Sequence, residues 1–285
     1  MRRGRRNIIS MSLSGPPPSQ TEQEDFHALA AKGVLSIAAS SNAGTTSVVS
    51  VGALDVNKQW AAFSNFSPKV ELSAPGVAVL STVPLGFATR SELRIGAVNY
   101  VPGAMTGSPR AVGSAPLANF GLGGATDPAV AGKVCLIQRG GGIAFGVKVA
   151  NCQASGGVGA VVFNSAGGAS FTGTLGTTVT AIPSVTASAA EGAAMLAQLG
   201  QNASVTVRAY NYDAFNGTSM ATPHLAAVAA LVRSYFPMCS AAQIRSTLGK
   251  SAQDLGPVGR DVKYGHGLVQ ARAAYDRLHT YGCKN

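Results

Sequence analysis

Residues 8–13 and 34–39 are two apolar runs, and the segment between them, 21–32, has the pattern of an amphipathic helix with Glu22, Glu24 and Asp25 early, Lys32 late and Gly33 at its end. Acids in a first turn and a base before a closing glycine match the helix dipole and its stop signal. An apolar strand, a helix and a second apolar strand make the repeating unit of a parallel α/β sheet, whose strands are covered on both faces. The Gly15-Pro16-Pro17-Pro18 break separates the first strand from the helix. Residues 48–54 and 70–72 read as further strands, and Ser73-Ala74-Pro75-Gly76 as a sharp turn. With 285 residues, 12% of them charged, and 35 glycines, the chain reads as close-packed, with room for one large or two medium domains.

Between about residues 87 and 208 the texture changes to Gly-rich β segments with few helical runs. Inside that stretch 133–140 reads as a strand, 145–154 as a short helix and 160–164 as another strand. The α/β texture resumes near Tyr210, with a helix at Ser219 and two more at 241–248 and 268–278. Four cysteines are present, Cys135, Cys152, Cys239 and Cys283, none in a C-x-x-C pair, which argues against the common zinc and redox arrangements. The economical pairing is 135 with 152 and 239 with 283, which implies an oxidising compartment; four reduced, buried thiols are the alternative.

A formal charge of +10 raises the question of nucleic acid. Four arginines, however, fall within the first six residues, the other bases are scattered, and no basic stripe interleaved with aromatics follows, so no nucleic-acid groove is expected. No run of about 18 apolar residues occurs, so no membrane span is expected either. The charged start lacks an apolar core and does not read as a signal peptide. No acid-rich loop has the oxygen density that calcium needs, and neither a metal nor another cofactor is expected.

The chemistry centres on Asn216-Gly217-Thr218-Ser219-Met220-Ala221-Thr222-Pro223-His224, followed by a small apolar run. A serine between a Gly-Thr turn and a helix of Ala, Val and Leu sits where free N–H groups and the positive end of the dipole favour developing negative charge. Pro223 removes the N–H that would bond back to the Ser219 carbonyl. The peptide resembles the serine motif G-T-S-M-A-x-P-H of the subtilisin-like (subtilase) proteases. Residues 37–42, Ile-Ala-Ala-Ser-Ser-Asn, resemble that family's strand ending A-A-x-G-N, and Ser12-Leu13-Ser14-Gly15 stands where the family has S-L-G-G. The resemblance implies that Ser219 is the nucleophile, that Asn42 donates to the oxyanion, that Ser12, Leu13, Ser14 and Gly15 hold the substrate strand, and that Ala39, Ser40 and Ser41 border the specificity pocket. Ser14 and Ser41 replace glycines of the family pattern, which implies a smaller or reshaped pocket.

Two parts of the pattern are missing. The family's Asp motif, D-[ST]-G, and His motif, H-G-[TH], do not occur. His27, His224, His266 and His279 all read as structural or surface residues. The chain therefore resembles the later part of a subtilase without its first third, and it is expected to hydrolyse peptides poorly by itself. Residues 132–140 and 145–164 resemble the protease-associated domain pattern, G-K-[IV]-x-L-[IV]-x-R-G followed by F-x-x-K-V-x-x-A. The expected fold class is thus α/β, a partial subtilisin-like parallel sheet with packed helices plus an inserted β-rich protease-associated domain. The expected boundaries are 1–86, 87–208 and 209–285. The expected function is that of a secreted serine endopeptidase acting on proteins or peptides. The alternative is a non-catalytic protein- or peptide-binding module built on the inserted domain. Asn65-Phe66-Ser67 and Asn202-Ala203-Ser204 are the better glycosylation acceptors; Asn216-Gly217-Thr218 lies against the nucleophile.

Overall fold

The computed structural model describes residues 8–13, 19–40 and 46–284. The chain forms two compact units, one built from Met1–Ser81 with Ala214–Asn285 and the other from Thr82–Asp213. Unit 1 opens with β1 (Ile8–Met11), α1 (Gln20–Ala31), β2 (Leu35–Ala39), β3 (Val48–Leu54), β4 (Leu72–Pro75) and β5 (Val79–Thr82), which crosses the boundary. The first four strands form one parallel sheet in the order β1-β2-β3-β4. All seven residues of β3 are buried, as expected of a central parallel strand.

Helix α1 half-buries one face, Phe26, Leu29 and Ala30, and leaves the other positions exposed. It has no buried residue, and Ser19 and Glu22 fix its start in a capping box that pulls the Glu22 carboxyl below its usual range through the Ser19 backbone N–H. The turn expected at 73–76 begins later. Ser73 lies inside β4, with its N–H donating to the Gly267 carbonyl at 2.9 Å and its carbonyl accepting from Val269 at 3.0 Å, so both backbone groups are committed to sheet-like pairing.

Unit 2 contains β6 (Ala88–Ile95), β7 (Val98–Tyr100), β8 (Met105–Thr106), β9 (Val112–Asn119), β10 (Val134–Gln138), α2 (Phe145–Ala154), β11 (Gly159–Phe163), β12 (Gly173–Thr174), β13 (Ser184–Ala187), α3 (Ala189–Leu196) and β14 (Asn202–Tyr210). Its seven-stranded sheet runs β13-β11-β10-β9-β14-β6-β7. The β13, β11, β10 and β9 side is parallel, and β14 and β6 make the rest antiparallel. The strand–helix–strand unit β10-α2-β11 carries Cys135 and Cys152, which are joined as a disulfide with Cα atoms 6.3 Å apart. Lys148 of α2 is fully buried. Its ammonium donates to the carbonyls of Leu122 and of Gln138, the latter at 3.1 Å, and desolvation holds its pKa below the ordinary lysine value.

The chain then returns through β15 (Tyr212–Phe215), which pairs with β5, and continues as α4 (Thr218–Tyr235), α5 (Ala241–Lys250) and α6 (Ala271–Tyr281). Helix α4 packs across all four strands of the unit 1 sheet. Ala221, Leu225, Ala229 and Val232 recur at helical spacing on its buried face and meet Ile37, Val51, Leu72 and Ala74 in one core. The last helix begins at Ala271 where the sequence suggested 268, because Leu268 and Val269 pair with Gln253 and Ser73 instead. Cys239 and Cys283 form the second disulfide and close the helical end of the unit. Glu71 and Arg245 pair through two side-chain hydrogen bonds, the Nε contact at 2.6 Å, and join the sheet side of the unit to α5.

Candidate active site

The start of α4 lies at the carboxyl edge of the unit 1 sheet, the edge at which open α/β sheets gather their ligands. Two contacts fix it there. The Gly217 N–H donates to the carbonyl of Gly76, which follows β4, at 2.8 Å, and the hydroxyl of Ser12, which follows β1, donates to the Ser219 carbonyl at 2.6 Å. At the other end of the helix, Arg233 donates to the Gly33 carbonyl, ahead of β2, so α4 runs opposite to the strands.

The approach to the helix is close. A Cβ on Gly76 would lie 2.6 Å from that of Ala53 and 2.8 Å from the Gly217 carbonyl, so only glycine fits. Asn216 accepts from the Ala78 N–H at 2.7 Å through its Oδ1, which occupies the side chain of that sequon in a backbone contact. The helix N-cap, Gly217, offers no side-chain cap. Its carbonyl takes the first intrahelical bonds, from Met220 at 3.0 Å and Ala221 at 3.3 Å, so the N–H groups of Thr218 and Ser219 stand ahead of the ladder.

Three consecutive carbonyls of the first turn each take a side-chain donor. Thr222 Oγ1 donates to Thr218 at 2.9 Å, Ser12 Oγ donates to Ser219, and His224 Nδ1 meets Met220 at 2.8 Å. A carbonyl only accepts, so Nδ1 of His224 carries a proton in this contact. Sequence reasoning missed Thr222 and Asn216 as members of this arrangement. Pro223 signals only the orphaned carbonyl of Ser219, which Ser12 serves; nothing in the local sequence pointed to Thr222 or Asn216.

The strand register brings together two of the segments expected at the site. Met11 pairs with Ala38, so Ser12 and Leu13 leave β1 beside the place where Ala39 and Ser40 leave β2. Leu13 is 70% exposed, while Ser40 is buried, its N–H donating to Val51 at 3.0 Å and its hydroxyl to the Asn65 carbonyl at 3.4 Å. The Ser40 side chain is thus turned into the fold. Ser219 is half-buried. Ser14, Gly15, Ser41 and Asn42 lie outside the described residues. The other histidines are engaged away from Ser219: His27 with Ser47 at 2.7 Å, His266 against Gly249, and His279 stacked on Tyr275.

These features define a class: an α/β protein with a serine at a helix start on the carboxyl edge of its parallel sheet. The chain belongs, within that class, to the subtilase family, Peptidase_S8, whose model matches residues 2–113 and 125–267. Among relatives, alkaline elastase YaB from Bacillus sp. (strain YaB) is 51% identical over 69 residues, 24% of this chain and 18% of that protein. Subtilisin DY from Bacillus licheniformis is 34% identical over 111 residues, 34% of this chain and 40% of that protein. The crystal structure of the psychrophilic subtilisin-like protease Apa1 from Pseudoalteromonas sp. AS-11 matches with a TM-score of 0.62 and 34% identity, over 97% of this chain and 71% of that one. The chain spans less than half the length of these two curated relatives. No described helix is long and apolar enough to cross a membrane.

Proposed function

We propose that the chain carries the nucleophile side of a serine endopeptidase site, with proteins or peptides as substrates. The observation behind this reading is the position of Ser219. It stands in the first turn of α4, ahead of the intrahelical ladder, at the carboxyl edge of the sheet and one hydrogen bond from the segment after β1. In the reaction, the Ser219 hydroxyl attacks the scissile carbonyl, and its own N–H and the Asn42 amide donate to the oxyanion. A substrate strand aligns against Ser12, Leu13, Ser14 and Gly15, with Ala39, Ser40 and Ser41 beside its specificity pocket. The two disulfides and the kinship with subtilisins support a secreted setting. The β10-α2-β11 unit supports reading unit 2 as an inserted protease-associated domain, since residues 132–140 and 145–164 fall on it.

Acyl transfer by serine also needs a base and a group to orient it. The Asp and His motifs of the family are missing from the sequence, and the described histidines are engaged elsewhere. Losing the base alone costs on the order of a millionfold in kcat in enzymes of this kind. The chain by itself is therefore expected to label slowly with a fluorophosphonate at Ser219 and to turn over an unstructured protein barely or not at all. Intact mass of the labelled protein, with Ser219→Ala as the control, tests the first statement. Labelling that survives Ser219→Ala would sink the nucleophile assignment, and peptide binding without any labelling would favour a binding role for unit 2.

A further inference from the structure

We infer that Ser12 is a positioning residue for Ser219, its hydroxyl replacing the helix hydrogen bond that Pro223 removes. The inference rests on the reading of Ser219 as nucleophile, and its geometry stands without it. In α4 the carbonyl of Ser219 would accept from the N–H four residues on, and that residue is Pro223, which has none. The donor comes instead from a residue 207 positions away in sequence, at 2.6 Å. A carbonyl offers no proton, so the Ser12 hydroxyl must donate.

Ser12 therefore differs from the other two side chains on this turn. Thr222 and His224 belong to α4 itself, and their bonds to Thr218 and Met220 hold the helix to itself. The Ser12 bond alone among the three ties the turn to the sheet. Fixing the Ser219 carbonyl fixes the peptide plane that follows its Cα, and with it the direction in which the Cα–Cβ bond carries the hydroxyl. The same Ser12–Leu13 segment is the one proposed to align the substrate strand. One hydroxyl thus sets the distance between the substrate backbone and the nucleophile, within the small tolerance that reacting groups allow.

The test is a rescue experiment in the full chain, with Ser12→Ala, Ser12→Thr, Pro223→Ala and the Ser12→Ala/Pro223→Ala double variant. Two quantities are read: the carbonyl ¹³C resonance of Ser219 and the rate of fluorophosphonate labelling at Ser219. Ser12→Ala should move the resonance in the direction of a lost hydrogen bond and slow labelling roughly three- to tenfold, the range of one such bond. Ser12→Thr keeps the hydroxyl and should keep both readouts. Pro223→Ala restores a backbone donor, so adding Ser12→Ala to it should have little further effect. An unmoved resonance in Ser12→Ala overturns the inference, and so does an equal loss with and without Pro223. Failure of the wild-type chain to label at all would count against Ser219 as nucleophile, while the resonance would still decide the role of Ser12.

Discussion

Unit 1 is assembled from two distant stretches of chain and unit 2 from one continuous stretch, and the first turn of α4 in one and the buried Lys148 in the other draw their partners from different distances along the chain. In unit 1 the first turn of α4 depends on Ser12, Gly76 and Ala78, all from the other stretch. In unit 2 the most deeply buried charge, Lys148, is satisfied by Leu122 and Gln138, no more than 26 positions away. A site whose geometry is set by long-range single bonds responds to small changes anywhere along either stretch. A self-contained unit is sensitive mainly to changes within itself.

Hydrogen exchange resolved by unit can break or sharpen this contrast. The largest effect is expected from the disulfides, whose stabilisation grows with the loop they close. Replacing Cys239 and Cys283, 44 positions apart, by alanine should cost unit 1 about 4 kcal/mol by the chain-entropy estimate, and replacing Cys135 and Cys152, 17 apart, should cost unit 2 about 3 kcal/mol. A loss of protection in both units from either pair would contradict independent units.

Next comes Lys148→Met, which strips the donor from two carbonyls and should destabilise unit 2 by about 1–3 kcal/mol while leaving unit 1 unchanged. The wild-type lysine also gives unit 2 a pH dependence. Its folded pKa lies below the unfolded 10.5, so between the two values the unfolded state binds more protons. Stability should therefore rise with pH across that interval and level off above it. Lys148→Met should lack this rise, and denaturant midpoints of the two proteins against pH will show whether it does.

Arg245→Ala removes the partner of a Glu71 carboxylate that is only 15% exposed and should cost unit 1 about 1–2 kcal/mol in thermal or chemical denaturation. The smallest effect belongs to Asp276→Asn. The Asp276 carboxylate raises the pKa of Arg272 through a hydrogen bond on an exposed helix face, and its loss should leave the melting temperature unchanged within error.

The parts of the fold legible in the sequence were those written in local pattern. Residues 48–54 are an apolar run interrupted only by Ser50 and bounded by Ser47 and Asp55, and the strand has those limits. Residues 145–154, with Phe145, Lys148 and Val149 at the spacing of the family pattern and Cys152 in place of its alanine, read as a short helix, and α2 has those limits. Helix α3 was overlooked although Ser188 and Glu191 spell a capping box, a signal that local reading could have used. Strands β6 and β14 were harder. In β6 the buried Ala88, Leu93 and Ile95 are irregularly spaced among Arg90, Glu92 and Arg94; β14 alternates cleanly at Ala203, Val205 and Val207, but the pairing of the two joins residues more than a hundred positions apart. At the site, the motif located Ser219 and the proline announced an orphaned carbonyl. That Ser12 would be its donor required the β1-β2 register and the packing of α4, which no short window of sequence contains.

The ends of the two stretches are closed off separately in each unit. In unit 1 the Ala78 N–H meets Asn216, and in unit 2 the Val83 N–H meets the Asn211 carbonyl at 2.9 Å. Exit and re-entry of the chain are thus paired once within unit 1 and once within unit 2, so each unit clasps its own two loose ends.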